Sequence, residues 1–285
     1  VIGVALIAFD RPEYTRRLLA SLEQQTELGG AAFHMFQDGA VNPHSGRVAG
    51  NEARIWQVRT LWQGARLPHK REAVCRPQNA GIGIHQFEAL EWMVTQYERV
   101  LLLEDDVVLS PHWLRLARVL YDQMAEWEDV FSFSLAWKRR CGRGQIARSL
   151  PLLTSACGHW WGECLTARNW ARVRPYFMPY YELIQDVDYR DRPHDAIIAV
   201  YQSMDWDQPY TTQDGAKTMA VWRAGMRRAV TVVNRGIGIG QLGEHYNPVL
   251  FRQLGMDDQA PYIFESDATL ERFEWAQEAA CASRF

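Results

Sequence analysis

The sequence predicts an α/β fold in which a mostly parallel sheet carries helices on both faces. Three observations lead to it. Apolar runs without polar alternation, such as Val-Ile-Gly-Val-Ala-Leu-Ile-Ala-Phe at 1–9 and Val-Leu-Leu-Leu at 100–103, have the composition of strands buried on both sides. Segments with apolar residues at helical spacing lie between such runs, so strands and helices alternate through the first half of the chain. At 285 residues the chain can bury about three quarters of its unfolded surface, so core formation needs no staples.

Taken in order, the first strand gives way to Asp10-Arg11-Pro12, a turn with Pro12 placed to open a helix whose apolar face is Leu18, Leu19 and Leu22. A second strand, 31–36, ends in Gln37-Asp38-Gly39, a carboxylate beside a glycine turn. Helical spacing returns over 51–63 through Ile55, Val58, Leu61 and Trp62; 73–76 is a short strand; and Asn79-Ala80-Gly81-Ile82-Gly83-Ile84-His85 opens a helix carrying Phe87, Leu90 and Trp92. The run at 100–103 then enters Glu104-Asp105-Asp106. Pro111 starts a further helix with Leu114, Leu116, Val119 and Leu120 on one face, and 130–136 is a strand.

The second half reads as less regular. A basic, glycine-containing loop spans 138–148, Trp160-Trp161-Gly162-Glu163 precedes a helix-like 168–173, and 180–214 is rich in acids and aromatics. A helix over 218–222 and a strand over 229–233 lead to Gly236, Gly238 and Gly240. That spacing is not a dinucleotide fingerprint, which belongs in the first βα turn and opens a helix; it reads as a flexible loop ending in His245. Residues 269–280 have the pattern of an amphipathic helix.

Composition limits the partners. With 31 basic against 34 acidic residues, a net charge of −3 gives no case for a nucleic acid polymer or an anionic membrane. Five cysteines, never spaced CxxC, indicate neither a zinc site nor a complete disulfide framework. No apolar run approaches the ~18 residues of a membrane span, and no signal peptide is visible. The expected location is the cytoplasm; because the chain begins at Val1, a leader or anchor removed upstream is compatible with it. Twelve tryptophans supply more flat aromatic surface than a core needs and suit a cleft that stacks sugars or bases.

The chemistry concentrates at strand tips. Three consecutive carboxylates, Glu104 to Asp106, after a buried strand call for a cation, and hard divalent ions suit carboxylate oxygens. Arg11, Asp38, His85 and Asp106 all follow strands or open helices in the same half, so a doubly wound sheet would collect them along one edge.

The phrases Phe9-Asp10-Arg11-Pro12, Gln37-Asp38-Gly39, Asn79 to His85 and Leu103-Glu104-Asp105-Asp106 cover the first 110 residues or so. In that order they resemble GT-A-type glycosyltransferases: family 2-type enzymes and, more closely in local sequence, the N-acetylglucosaminyltransferase I group. The resemblance implies a single GT-A (Rossmann-like) domain over 1–285, with a nucleotide-sugar-binding half at 1–137 and an irregular acceptor-binding and catalytic half at 138–285. It implies a metal-dependent, inverting hexosyl or N-acetylhexosaminyl transfer from a UDP-sugar to a hydroxyl of a saccharide or glycoconjugate. In that family Arg11, Asp38 and His85 would hold the uridine, and Glu104 and Asp105 would contact ribose or metal-bound water. Asp106, last acid of the DxD-like triplet, would ligate Mn²⁺ or Mg²⁺, with His245 completing the coordination.

An inverting transfer also needs a carboxylate to take the acceptor's proton. Asp214 is the first choice, since the stretch from Asp214 to Trp222, followed by a strand and Asn234, resembles the acid-led helix of family 2-type members. Asp207 and Asp195 compete with it. Glu163 is a further candidate, for acceptor contact; here Trp161-Gly162-Glu163 stands where the family often has Trp-Gly-Trp. Two other classes fit parts of the pattern. A sugar-1-phosphate nucleotidyltransferase would carry a glycine-rich basic loop after the first strand, which 9–14 does not supply. A non-catalytic carbohydrate- or calcium-binding module would bind saccharide without nucleotide.

Overall fold

The computed structural model describes residues 1–136, 145–156, 161–242, 247–253 and 263–276. Its elements are β1 (Ile2–Ala8), α1 (Pro12–Glu23), β2 (Ala31–Gln37), α2 (Glu52–Gly64), β3 (Val74–Cys75), α3 (Ile82–Gln96), β4 (Arg99–Glu104), β5 (Val107–Leu109), α4 (Trp113–Met124) and β6 (Val130–Ser134). They continue with α5 (Ile146–Ser149), β7 (Leu152–Ala156), β8 (Glu163–Thr166), α6 (Ala167–Ile184), α7 (His194–Ser203), α8 (Gln213–Arg223), β9 (Arg227–Thr231), β10 (Gly236–Gly238), α9 (Pro248–Gln253) and β11 (Glu274–Trp275). A nine-stranded sheet in the order β11-β7-β9-β6-β8-β4-β1-β2-β3 forms the centre. Most neighbouring pairs are parallel, and β8 runs antiparallel between β4 and β6. The α/β class read from the sequence, a large mostly parallel sheet flanked by helices, is therefore the observed one.

The strand period of two explains why the central runs are apolar throughout. In β4, Leu101 and Leu103 face one core layer with α1, α2 and α4, through Leu18, Leu22, Trp62, Trp113 and Leu120. Val100 and Leu102 face the other, with α3, α6 and α8, through Phe87, Leu90, Trp170, Phe177 and Met219. Helix starts follow local chemistry: Pro12 opens α1, and Asn51, Thr166 and Thr212 cap α2, α6 and α8 by accepting backbone N–H bonds.

Register decides where the site lies. Ile7 pairs with Glu104 and Ala8 with Gln37, so β1, β2 and β4 end level with one another. The polar residues that follow them leave from one edge of the sheet. Trp161 and Gly162 enter β8 at the same edge, since Glu163 pairs with Leu102.

Three expectations change. The second half is more regular than its sequence suggests, because β7, β8 and β9 extend the same sheet and α6 runs for 18 residues. The glycine series is not a flexible loop: Gly236–Gly238 is strand β10, antiparallel to β5. Each glycine there makes room for a bulky neighbour. A Cβ at Gly236 would lie 2.4 Å from the Trp113 ring, at Gly238 2.9 Å from the Trp161 ring, and at Gly240 2.1 Å from Asp106 Oδ2. The described part of the helix expected at 269–280 is instead an extended segment ending in β11. Tertiary hydrogen bonding overrides its periodicity: the Phe273 N–H donates to Gln123 Oε1 at 2.8 Å, and Asp267 just before it is buried against Arg235 at 2.8 and 3.0 Å.

Candidate active site

A cleft of about 840 Å³ opens along this edge. Its walls come from the tips of β1 and β4, Asp38 after β2, the turn at 79–85, the segment 188–190, the start of α8 and the run from Gly238 to Leu242. Arg11, Asp38, His85, Glu104, Asp105, Asp106 and Asp214 all line it. Asp207 does not; it lies exposed in the connection after α7, as Asp195 does in the first turn of that helix. His245 and the residues beside it, 243–246, fall outside the described residues.

The acidic tip is bound by an arginine of the chain itself. Arg11 donates to Asp106 Oδ2 at 2.8 Å and forms an ion pair with Asp105. Burial alone would lower the guanidinium pKa, but Asp105 and Asp106 outweigh it and hold the group above its ordinary value. Glu104 is pushed up to about 8, first by burial and then by the charges of Asp106 and Asp214, against the pull of Arg11. Burial also raises Asp105, to about 6, with Arg11 opposing. With three carboxylates and one arginine at the tip, Glu104 holds its proton more tightly than an ordinary carboxylate. The contribution of Asp214 to that shift places its charge within electrostatic reach of the tip.

A divalent ion can be tested against the oxygens. Asp105 Oδ2 and Asp106 Oδ1 are buried and have no hydrogen-bond partner among the described residues. A buried acceptor left without a donor costs about 1–3 kcal/mol, so both oxygens suit a positive group from outside the chain, and carboxylate oxygens match a hard cation. Among the described residues no three His, Cys, Asp or Glu side chains converge as a metal cluster. The fit therefore rests on these two aspartates.

Gly240 supports Asp106 directly. Ile239 N–H donates to the Asp106 carbonyl at 2.7 Å, and the missing Cβ of Gly240 leaves space for the carboxylate. Gly240→Ala is expected to leave the fold intact, because the obstructing atom is the end of a side chain, but to turn Asp106 off Arg11. A misplacement of about 1 Å at a reacting centre lowers turnover by about 100-fold. Turnover measured beside a thermal melt checks this; unchanged turnover would remove Gly240 from the site.

Asp38 and His85 line the opposite wall with their polar atoms engaged by the chain. The Asp38 carboxylate accepts from the N–H groups of Gly39, Ala80 and Gly81 and from Asn79 Nδ2, at 2.8 to 3.0 Å. The three bonds from Asn79, Ala80 and Gly81 fix the 79–81 turn, where Gly81 takes φ +78° before α3. His85 is buried, with Arg76 Nε donating to Nδ1 at 3.2 Å and Nε2 3.1 Å from the Phe36 carbonyl. Burial first, with Arg76, lowers its pKa against the opposing pull of Asp38 and that carbonyl, so the ring is neutral and carries its proton on Nε2.

Asp214 is the second residue of α8, and the capping role falls to Thr212, whose Oγ1 accepts the Gly215 N–H at 3.3 Å. The helix N-terminus favours a negative charge at Asp214. Glu163 is placed differently from the sequence expectation. Its side chain is inaccessible to solvent and ion-paired with Lys217 Nζ at 2.9 Å, behind the cleft rather than in it. It lies on β8 between β4 and β6 with its carboxylate buried against Lys217, surroundings that do not support the expected acceptor contact. Lys217→Met is expected to destabilise the fold by about 3–5 kcal/mol by stranding Glu163. The double variant Lys217→Met/Glu163→Leu should regain most of that in urea denaturation.

Sequence reasoning missed Tyr189, Arg47 and Arg190, which also line the cleft. Asp188 accepts from Ser45 Oγ at 2.5 Å and from Arg47 at 2.9 Å, which ties 188–190 to the loop after β2. Nothing local marks Tyr189 and Arg190 in the acid-rich 180–214 stretch or Arg47 in the loop after β2; they are found only when these two distant segments meet.

No family model and no curated protein matches the chain. Among solved structures, similarity extends to S. aureus TarS 1-349, at 11% identity and a TM-score of 0.48, covering 84% of this chain and 60% of that one. The same protein in complex with UDP-GlcNAc matches at 12% identity and a TM-score of 0.46, covering 86% and 60%. Its complex with UDP matches at 12% and 0.46, covering 82% and 59%. The chain spans about 60% of the length of these TarS chains.

Proposed function

We propose that this chain is a glycosyltransferase that moves a sugar from a UDP-sugar to a hydroxyl of a saccharide or related acceptor, with inversion and with the help of Mn²⁺ or Mg²⁺. The observation that carries this reading is the meeting, in one cleft, of the Arg11-bridged acidic tip of β4 with Asp214 at the start of α8. In this reading Asp106, with Asp105, would hold the ion, which when bound supplies positive charge to the departing nucleoside diphosphate. Arg11 adds a second positive charge at the same place, where negative charge develops as the glycosidic bond breaks. Asp214 takes the proton of the acceptor hydroxyl.

The nucleoside lies on the wall built by Asp38 and His85. Since the Asp38 oxygens already hold the 79–81 turn, a base N–H would reach that carboxylate by replacing one of these bonds.

The test is a screen of nucleotide sugars with Mn²⁺ and a panel of saccharide acceptors, read by nucleotide release and by proton NMR of the product anomer. Release of UDP with formation of an inverted glycoside is expected. Release of pyrophosphate from a nucleoside triphosphate and a sugar-1-phosphate would replace this reading with a nucleotidyltransferase, and saccharide binding without nucleotide binding would replace it with a non-catalytic module.

A further inference from the structure

We propose that Tyr189 is a positioning residue, a strut between the donor wall of the cleft and the helix that carries Asp214. The proposal rests on the glycosyltransferase reading for its functional consequence, and on geometry alone for its structural one. The Tyr189 hydroxyl accepts the Gln213 N–H at 3.0 Å and donates to Gln213 Oε1. Gln213 is the residue immediately before Asp214 and the first of α8. Two polar contacts of the hydroxyl thus fall on the residue that sets where Asp214 begins, and Tyr180 of α6 hydrogen-bonds to the same hydroxyl.

The other side of the same ring lies against the glycine turn. A Cβ on Gly81 would lie 2.6 Å from Tyr189 Cβ, and one on Gly83 would lie 2.6 Å from Tyr189 Cε2. The two glycines of this turn are therefore required by the tyrosine that packs on them. The turn is the one that Asp38 holds through Ala80 and Gly81. One buried side chain touches both the wall assigned to the nucleoside and the start of the base helix.

Its surroundings leave it a single placement. Arg192 stacks over the ring with Cζ 4.7 Å from the centroid, and its Nη1 donates to the Tyr189 carbonyl at 2.9 Å. Arg192 Nε donates to the Thr211 carbonyl at 2.9 Å, fastening the approach to α8 from the same segment. Next to it, Asp188 is bound by Ser45 and Arg47 of the loop after β2. A shift of the donor wall thus moves the 188–192 segment, and with it the first turn of α8. Filling the donor pocket would set the position of Asp214 before the acceptor arrives, a step of preorganisation in which a small displacement has a large effect on rate.

The experiment compares the full chain with Tyr189→Phe, Gln213→Ala, their double variant and Gly83→Ala. Tyr189→Phe keeps the ring and removes only the hydroxyl. Hydrogen exchange of the backbone amides of residues 213–216 is expected to speed up in Tyr189→Phe and in Gly83→Ala, with the rest of α8 unchanged. Turnover in Tyr189→Phe is expected to fall by about tenfold or more while KM for the UDP-sugar stays within about twofold, the pattern of an interaction expressed in the transition state. The double variant should be no slower than Tyr189→Phe, because the one bond that Gln213→Ala removes, to Oε1, is already lost there.

Unchanged exchange in Tyr189→Phe, or in Gly83→Ala, would overturn the strut. So would a raised KM with turnover intact, which marks a direct substrate contact instead. Failure of the glycosyltransferase reading is distinguishable: the wild-type chain would then turn over no nucleotide sugar, while the exchange measurement would still decide whether Tyr189 positions α8.

Discussion

Replacing Asp106 by asparagine is expected to lower UDP-sugar turnover by about 1000-fold and to abolish its stimulation by Mn²⁺. The substitution keeps the size of the side chain and an oxygen for the 2.8 Å bond from Arg11. It removes the charge and one of two oxygens aimed at a buried, donor-free position. A purely structural role for Asp106 would make the asparagine variant nearly silent, because the hydrogen bond survives. Asp105→Asn is a useful companion. Its side chain is more deeply buried and also bridged by Arg11, so the same change there should affect both stability and turnover. If wild-type turnover proves insensitive to EDTA yet is lost in Arg11→Ala, the positive charge at the diphosphate comes from the chain itself and the divalent ion drops out of the mechanism.

The second large effect is expected at Asp214. Asp214→Asn should lower kcat by about 100- to 10,000-fold, the range of a general base, while leaving UDP binding unchanged. Geometry separates this from a capping effect. Thr212 holds the cap, so Thr212→Ala should cost about 1 kcal/mol of stability and, by loosening the same first turn, lower turnover by about tenfold as Tyr189→Phe does, well short of the loss in Asp214→Asn. Asp207→Asn, on the exposed connection after α7, should match wild type in both. A loss in Asp207→Asn equal to that in Asp214→Asn would move the base out of the cleft and contradict the placement described above.

The strand tips were legible in the sequence because burial writes itself there. The central strands β1 and β4 are apolar through their middles because both faces are covered, so the carboxylates that end such a run mark the edge. Arg11, Asp38 and the Glu104 to Asp106 triplet were found that way, and Asp214 came only from its resemblance to an acid-led helix. What each tip residue binds was not legible. That Arg11 bridges Asp105 and Asp106, and that Asp38 spends its oxygens on the 79–81 turn, depends on register between strands far apart in sequence.

The glycines misled in an instructive way. Gly236, Gly238 and Gly240 have the composition of a mobile loop, yet each fills a place where Trp113, Trp161 or Asp106 leaves no room for a Cβ. A glycine needed for close packing and one needed for flexibility look the same in one sequence. Tyr189 was missed for the matching reason: its partners are Gly81, Gly83 and Gln213, and none of them marks a tyrosine contact until the segments meet.

The most direct test is calorimetry of UDP with the wild-type chain and with Asp106→Asn, each with and without Mn²⁺. The prediction is that UDP binds the wild-type chain, that Mn²⁺ tightens binding by at least about tenfold, or about 1.4 kcal/mol, and that the Asp106→Asn chain loses this gain. Absence of UDP binding to the wild-type chain, with or without Mn²⁺, would contradict the assignment of the cleft as a nucleotide-sugar site.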